Sequence, residues 1–203
     1  MSLKVYHGKR TRSLRVVWML EEMGLDYEIS RADPPFQQAN AEFMSVNPQG
    51  TLPAFTDGGV TLTESMAIVE YLGRRYGPTP LIPDTDDPTF AAYLQFVHYG
   101  EATLAGPLTY LVRALLSAPD DQKFNWTTED IKAVFGERIK RVGEALKSGP
   151  FVAGEAFTAA DISVGYALYF ANLLGLTERF SSGVGDYFAR VQARPAFQRA
   201  EEK

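Results

Sequence analysis

The chain has 203 residues, 45% hydrophobic and 12% aromatic, enough apolar material for one large domain or two small ones. Its 20 basic residues against 25 acidic give a formal charge of −5, which offers no basic field to a nucleic-acid backbone, so no nucleic-acid partner is expected. Cysteine is absent and histidine occurs twice, which excludes disulfides, thiolate metal sites and a cysteine nucleophile and argues against a transition metal; with no run of about 18 apolar residues and no signal-like apolar stretch in MSLKVYHGKRTR, a cytoplasmic location without a membrane partner is expected.

In chain order, residues 3 to 6 (LKVY) alternate as a half-buried strand. Residues 14 to 24 then take helical spacing, with Val16, Met19, Leu20 and Met23 on one face and Gly24 fit for the C-terminus. Tyr27 to Ser30 predicts a second strand, and a helix between neighbouring strands implies a parallel, right-handed crossover. A proline-rich entry at Pro34 and Pro35 leads to a short helix predicted from about Ala39 to Ser45. The next strand, 52 to 55, carries Pro53, which has no N–H for a sheet ladder. Asp57, Gly58 and Gly59 are turn residues before Val60 to Thr63, so the last two strands form a hairpin. A helix from Ser65 to Arg75 follows, with Ile68, Val69 and Leu72 inward. The order β-α-β-α-β-β-α with a mixed four-stranded sheet is thioredoxin-like.

Residues 77 to 88, GPTPLIPDTDDP, hold four prolines among turn formers, the composition of a linker. The expected division is therefore 1–77, a linker at 78–88, and 89–203. Beyond the linker only helical stretches are predicted, at about 89 to 117, 128 to 147, 158 to 173 and 184 to 193. Thr158 and Asp161 have capping-box spacing, with Phe157 and Ile162 placed as a hydrophobic staple. Asp161 reads as a structural cap, with a catalytic acid as the competing reading.

A thioredoxin-like domain followed by an all-helical one resembles the cytosolic glutathione transferase superfamily over nearly the whole chain. The resemblance is carried by YHGKRTRSLRVVWMLEEMGLDYE, NPQGTLPAF, TLTES with AIVEYLGRRYG, and FTAADIS, in that order and at those separations. It implies a cis peptide before Pro53, which turns the Leu52 N–H and C=O towards the cysteinyl part of glutathione as a short added strand. The competing reading is an edge strand whose proline blocks aggregation. It also implies that Ser65, opening the third helix, meets the γ-glutamyl carboxylate, that Glu64 faces the ammonium group, and that Gln49 is a further contact. The bland alternative is that Ser65 and Glu64 only shape a helix start.

The family works by stabilising the thiolate of bound glutathione, the co-substrate, since a thiol of pKa about 8.5 is little ionised at neutral pH. Thr11 stands where the serine-type classes place their catalytic hydroxyl, four residues before Arg15; Tyr6 falls where the tyrosine-type classes carry theirs, Ser13 is a third hydroxyl in the same loop, and the backbone N–H groups of the loop are the remaining alternative. The bland readings are a core aromatic for Tyr6 and helix capping for Thr11 and Ser13. Lys9, Arg10 and Arg12 raise the local positive potential. The expected second-substrate site draws on the first long helix of the second domain, which carries Phe96, His98, Tyr99, Glu101 and Tyr110. His98 and Glu101 are the second-substrate or dimer-edge candidates, with a structural role as the competing reading for His98 and completion of the γ-glutamyl site as that for Glu101. The function expected is attack of glutathione on a small hydrophobic electrophile by a homodimeric enzyme. A non-catalytic ligand-binding or regulatory relative, and a glutathione-dependent isomerase, dehalogenase or ether-cleaving enzyme, are the competing functions.

Overall fold

The computed structural model describes residues 2–32 and 41–203. Pro34, Pro35 and Ala39, the expected entry and start of the short second helix, lie outside them. The chain divides into two compact units, Met1–Ile82 with Ala193–Lys203, and Pro83–Gln192.

In the first unit, β1 (Leu3–His7) turns Leu3, Val5 and His7 to one face and Lys4 and Tyr6 to the other, as the two-residue period of a strand requires. The helix α1 (Ser13–Met23) buries every residue from Ser13 to Leu20. It ends at Gly24, whose φ of 63° and N–H bond to the Glu21 carbonyl close the last turn in the left-handed region. β2 (Tyr27–Arg31) pairs with β1 in parallel, from Leu3↔Tyr27 to His7↔Arg31. After α2 (Ala41–Val46), β3 (Ala54–Asp57) and β4 (Val60–Leu62) form an antiparallel hairpin, β3 also pairing antiparallel with β1. The sheet order is β2-β1-β3-β4, and α3 (Ser65–Arg75) completes the expected thioredoxin-like sequence of elements.

The strand expected at 52 to 55 begins instead at Ala54. Proline cannot donate to the ladder, so pairing starts after it and leaves Leu52 and Pro53 outside. The peptide bond between them is cis.

The second unit is helical. The stretch expected as one helix over 89 to 117 has three parts: α4 (Phe90–His98), a π-helical turn (Tyr99–Ala105) and α5 (Gly106–Ser117). Pro107 explains part of the break, since it cannot donate to the Thr103 carbonyl one turn back; the Arg138 guanidinium fills that acceptor at 3.1 Å. Gly100 explains another part. A Cβ there would lie 2.6 Å from the Ser163 carbonyl carbon, so only glycine admits this approach to α8 (Ala159–Leu173). The expected helix at 128 to 147 divides into α6 (Trp126–Arg138) and α7 (Lys140–Ala145), and α9 (Ser182–Gln192) follows α8.

The helix α8 is buried from Ala159 to Ala171. Its capping box is formed as the spacing of Thr158 and Asp161 predicts. Asp161 accepts hydrogen bonds from the Thr158 N–H (2.9 Å), the Val152 N–H (3.0 Å) and the Tyr187 hydroxyl (2.9 Å). Its carboxylate thus ties α8 to α9 and to the loop before α8.

A last helix, α10 (Pro195–Glu202), was not anticipated. Pro195 fits its first turn, where the missing N–H has no partner to lose. Phe197 sets its ring edge-on to Trp18 at 4.9 Å, and Arg194 clasps Glu22 with two bonds of 2.6 and 2.7 Å. These contacts place 193–203 in the first unit, whereas the sequence reading put all of 89–203 together. Among the described residues no helix is long and apolar enough to cross a membrane, and no group of acidic or histidine side chains is arranged to hold a metal.

Candidate functional site

The site is built where β1 hands the chain to α1. Between His7 and Ser13 the backbone turns tightly, with Arg10 in the left-handed region at φ 61°. Thr11 is half-buried. Its hydroxyl donates to the Gly8 carbonyl at 2.8 Å and lies 2.6 Å from the Ser13 hydroxyl. Ser13 is the first residue of α1 and fully buried, its Oγ 2.8 Å from His7 Nδ1 and 3.3 Å from the Gly8 N–H that donates to it. The third candidate is differently placed. Tyr6 points to the other face of β1, into a cluster with Ala32, Phe43 and Ala54, and donates its hydroxyl to Glu42 at 2.8 Å. Burial, then the bond to Glu42, raises the Tyr6 pKa above that of a free phenol. Tyr6 therefore has the partners of a core residue.

The second wall is the segment before β3. Asn47 is buried and organises it: its side-chain amide donates to the Thr51 carbonyl at 2.7 Å, and its side-chain carbonyl accepts the Gln49 N–H at 3.2 Å. The Gln49 side chain is exposed. Leu52 packs against the Tyr6 cluster. Because the β1–β3 ladder ends at Tyr6↔Ala54, the Leu52-Pro53 peptide leaves the sheet at the end of β1 from which the loop carrying Thr11 departs.

The third wall is the start of α3. Glu64 precedes the helix in extended conformation, is exposed, and makes no side-chain cap. Ser65 is buried at the first helical position, and the Arg15 guanidinium, fully buried on α1, donates to its Oγ at 3.2 Å. A helix N-terminus whose N-cap side chain makes no hydrogen bond, a hydroxyl and a buried cation together suit an anion. Thr11 and Ser13 are thus joined directly, Ser65 is tied to α1 through Arg15, Leu52 and Pro53 precede β3, and Gln49 and Glu64 are exposed.

His98 and Glu101 belong to the second unit. His98 ends α4 with its side chain exposed, and Glu101 is half-buried in the π turn. Phe96 is core, Tyr99 donates to the Arg138 carbonyl at 2.7 Å, and Tyr110 is 70% exposed.

Three buried polar residues of the site lie outside the candidates that the sequence offers, Asn47, Arg15 and His7. Arg15 and His7 each carry a signal that points to them. Arg15 interrupts the apolar run from Leu14 to Leu20, and His7 continues the inward alternation of Leu3 and Val5; a charged or titratable group at such a position is buried only with a partner.

Residues 1–74 match the family model of the glutathione S-transferase N-terminal domain. Over 98% of its length the chain is 30% identical to Glutathione S-transferase 3 of Schizosaccharomyces pombe, covering 86% of that protein. It is 33% identical to Glutathione S-transferase 3 of Zea mays over 92% of this chain and 86% of that one. Among solved structures, a glutathione transferase from Methylococcus capsulatus superposes with a TM-score of 0.85 at 25% identity, covering 98% of this chain and 97% of that one. A theta class glutathione S-transferase from Xanthomonas axonopodis pv. citri, with glutathione bound, gives 0.81 at 25% identity, covering 100% and 98%.

Proposed function

Because the chain belongs to the glutathione S-transferase family and has glutathione as its co-substrate, we propose that Thr11 is the group that stabilises the glutathione thiolate for attack on a small hydrophobic electrophile. In this reading the γ-glutamyl carboxylate lies at the N-terminus of α3, held by the Ser65 hydroxyl and N–H, with Glu64 facing the ammonium group. Gln49 and the Leu52 backbone hold the rest of the peptide. The Thr11 hydroxyl turns from the Gly8 carbonyl to donate to the sulfur. A hydrogen bond to a charged group contributes about 1.5 to 3 kcal/mol, which lowers a thiol pKa of about 8.5 by roughly one to two units. The thiolate then forms a carbon–sulfur bond with the electrophile, either displacing a leaving group with its electron pair or adding to an activated double bond that later takes up a proton.

The observation that supports Thr11 is the difference among the three hydroxyls. Ser13 is enclosed and Tyr6 is committed to Glu42 on the other face of the strand, whereas Thr11 is half-exposed and, besides its contacts with Ser13, donates to a carbonyl that a ligand can displace. The test is retention on immobilised glutathione, conjugation with a generic aromatic electrophile, and ultraviolet titration of the bound thiol. Thr11→Ala is expected to raise the bound thiol pKa by roughly one to two units, and Tyr6→Phe to leave it in place. No shift in Thr11→Ala would sink the assignment. Binding without conjugation would instead favour an isomerase, a dehalogenase or a non-catalytic binding role. A cytosolic homodimer is proposed from the family alone and is tested by light scattering, which should give twice the chain mass.

A further inference from the structure

The buried imidazole of His7 has no part in the mechanism above. We propose that His7 is a positioning residue which, through Ser13, fixes the direction in which the Thr11 hydroxyl gives its proton; the proposal rests on Thr11 as the thiolate donor.

The three side chains form a line from the core to the half-exposed loop. His7 is 1% exposed and Ser13 wholly buried, with His7 Nδ1 to Ser13 Oγ 2.8 Å and Ser13 Oγ to Thr11 Oγ1 2.6 Å. Each hydroxyl has one proton and two lone pairs, so the direction of one bond decides the next. Two backbone donors add to the accounting: the Gly8 N–H donates to Ser13 Oγ, and the Ser13 N–H donates to Thr11 Oγ1, both at 3.3 Å.

Suppose first that Nδ1 carries the proton. Ser13 then accepts from Nδ1–H and from the Gly8 N–H, which fills both its lone pairs. Its own proton has two acceptors in reach, Thr11 Oγ1 at 2.6 Å and the Gly8 carbonyl at 3.3 Å, and the shorter bond goes to Thr11. Thr11 now accepts from the Ser13 O–H and N–H, so its proton must point away, to the Gly8 carbonyl or to a thiolate that replaces it. A chain of bonds running one way also polarises its last member, which makes Thr11 a stronger donor. Suppose instead that Nδ1 is bare. Ser13 then donates to the imidazole, and the Thr11 proton has two acceptors in reach, Ser13 Oγ at 2.6 Å and the Gly8 carbonyl at 2.8 Å; the closer takes it, since two oxygens 2.6 Å apart with no proton between them repel. Thr11 is turned inward and gives nothing to a ligand. The tautomer of one buried histidine therefore selects between a donor and a non-donor hydroxyl.

The test titrates bound glutathione in the full chain. In both Ser13→Ala and His7→Phe, which break the line, the thiol pKa is expected to rise by about one unit, with kcat/KM below that pKa falling about tenfold and KM for glutathione little changed. His7→Asn keeps an N–H near the position of Nδ1 and is expected to retain the thiol pKa, which a merely space-filling role does not predict. In a Thr11→Ala background His7→Phe should add nothing. Nitrogen NMR of the unsubstituted protein, with the only other histidine removed by His98→Gln for assignment, should find the proton on Nδ1 of His7. A thiol pKa raised by Thr11→Ala but unmoved by Ser13→Ala overturns the relay alone, as does a proton found only on Nε2. A thiol pKa unmoved by Thr11→Ala overturns the donor and the relay together. The Ser13 variant and the NMR measurement stand even where His7→Phe does not fold.

Discussion

At the loop between β1 and α1, what a hydroxyl can do is set by its neighbours rather than by its chemistry. Tyr6, Thr11 and Ser13 are all within reach of the same turn of chain, yet strand alternation sends Tyr6 to the opposite face and helix initiation buries Ser13. The same logic applies at Ser65, whose Oγ receives the buried Arg15 guanidinium on one side and stands at a helix start on the other. Ser65→Ala should raise KM for glutathione by roughly ten- to a hundredfold with little change in kcat, as expected for a ground-state hydrogen bond of about 1.5 to 3 kcal/mol to a charged carboxylate. Steady-state kinetics with glutathione as the varied substrate checks it. An unchanged KM would remove Ser65 from the ligand site.

Single close approaches decide how the helices of the second unit run. Gly100 lets the π turn lie on α8, where the Ser163 hydroxyl donates to the Val97 carbonyl at 2.7 Å. Gly100→Ala drives a methyl into backbone rather than into a flexible side chain, so a loss of about 2 to 3 kcal/mol or more is expected in denaturant unfolding. The start of α8 carries a pH dependence. Burial pushes the Asp161 carboxyl up to about 6 from the ordinary 3.8, although the Val152 and Thr158 N–H groups and the Tyr187 hydroxyl oppose the rise. A folded-state value above the unfolded one means that the native state binds the proton more tightly. The stability from this group is therefore complete below about pH 4 and lost as pH rises through about 6. Thermal unfolding from pH 4 to 7 should show the unsubstituted protein losing stability relative to Asp161→Asn across that window. A difference that stays constant with pH would contradict it.

The whole chain closes on itself through α10. Arg199 on α10 and Arg194 just before it reach Glu21 and Glu22 on α1, and Phe197 covers the buried ring of Trp18, so the first unit needs the last eleven residues as well as the first 82. Phe197→Ala should cost about 3 to 5 kcal/mol. The two tryptophans give a readout: Trp18 is wholly buried and Trp126 is 78% exposed, so the blue component of the fluorescence belongs to Trp18. That component should shift to the red in the substituted protein before Trp126 responds. A blue component that persists to the global transition would show that α10 does not shield the ring.

Read by itself, the sequence determined the element order from β1 to α3, the Gly24 stop, the hairpin after Asp57, the capping box at Thr158 and the kinship carried by YHGKRTRSLRVVW and NPQGTLPAF. All of these are written in local periodicity, turn chemistry or short motifs, which need no distant partner. Only the tertiary structure decided that pairing starts at Ala54, that a π turn interrupts the long helix at Gly100, that α10 returns to the first unit, and that Arg15 and His7 are buried beside Ser65 and Ser13. Each depends on residues far apart in the chain or on the burial that packing creates, and neither is encoded in a local period. The hydroxyls at 6, 11 and 13 show the division most plainly. Their presence is legible in one line of sequence, while their partners, Glu42, Gly8 and His7, are assigned by the fold.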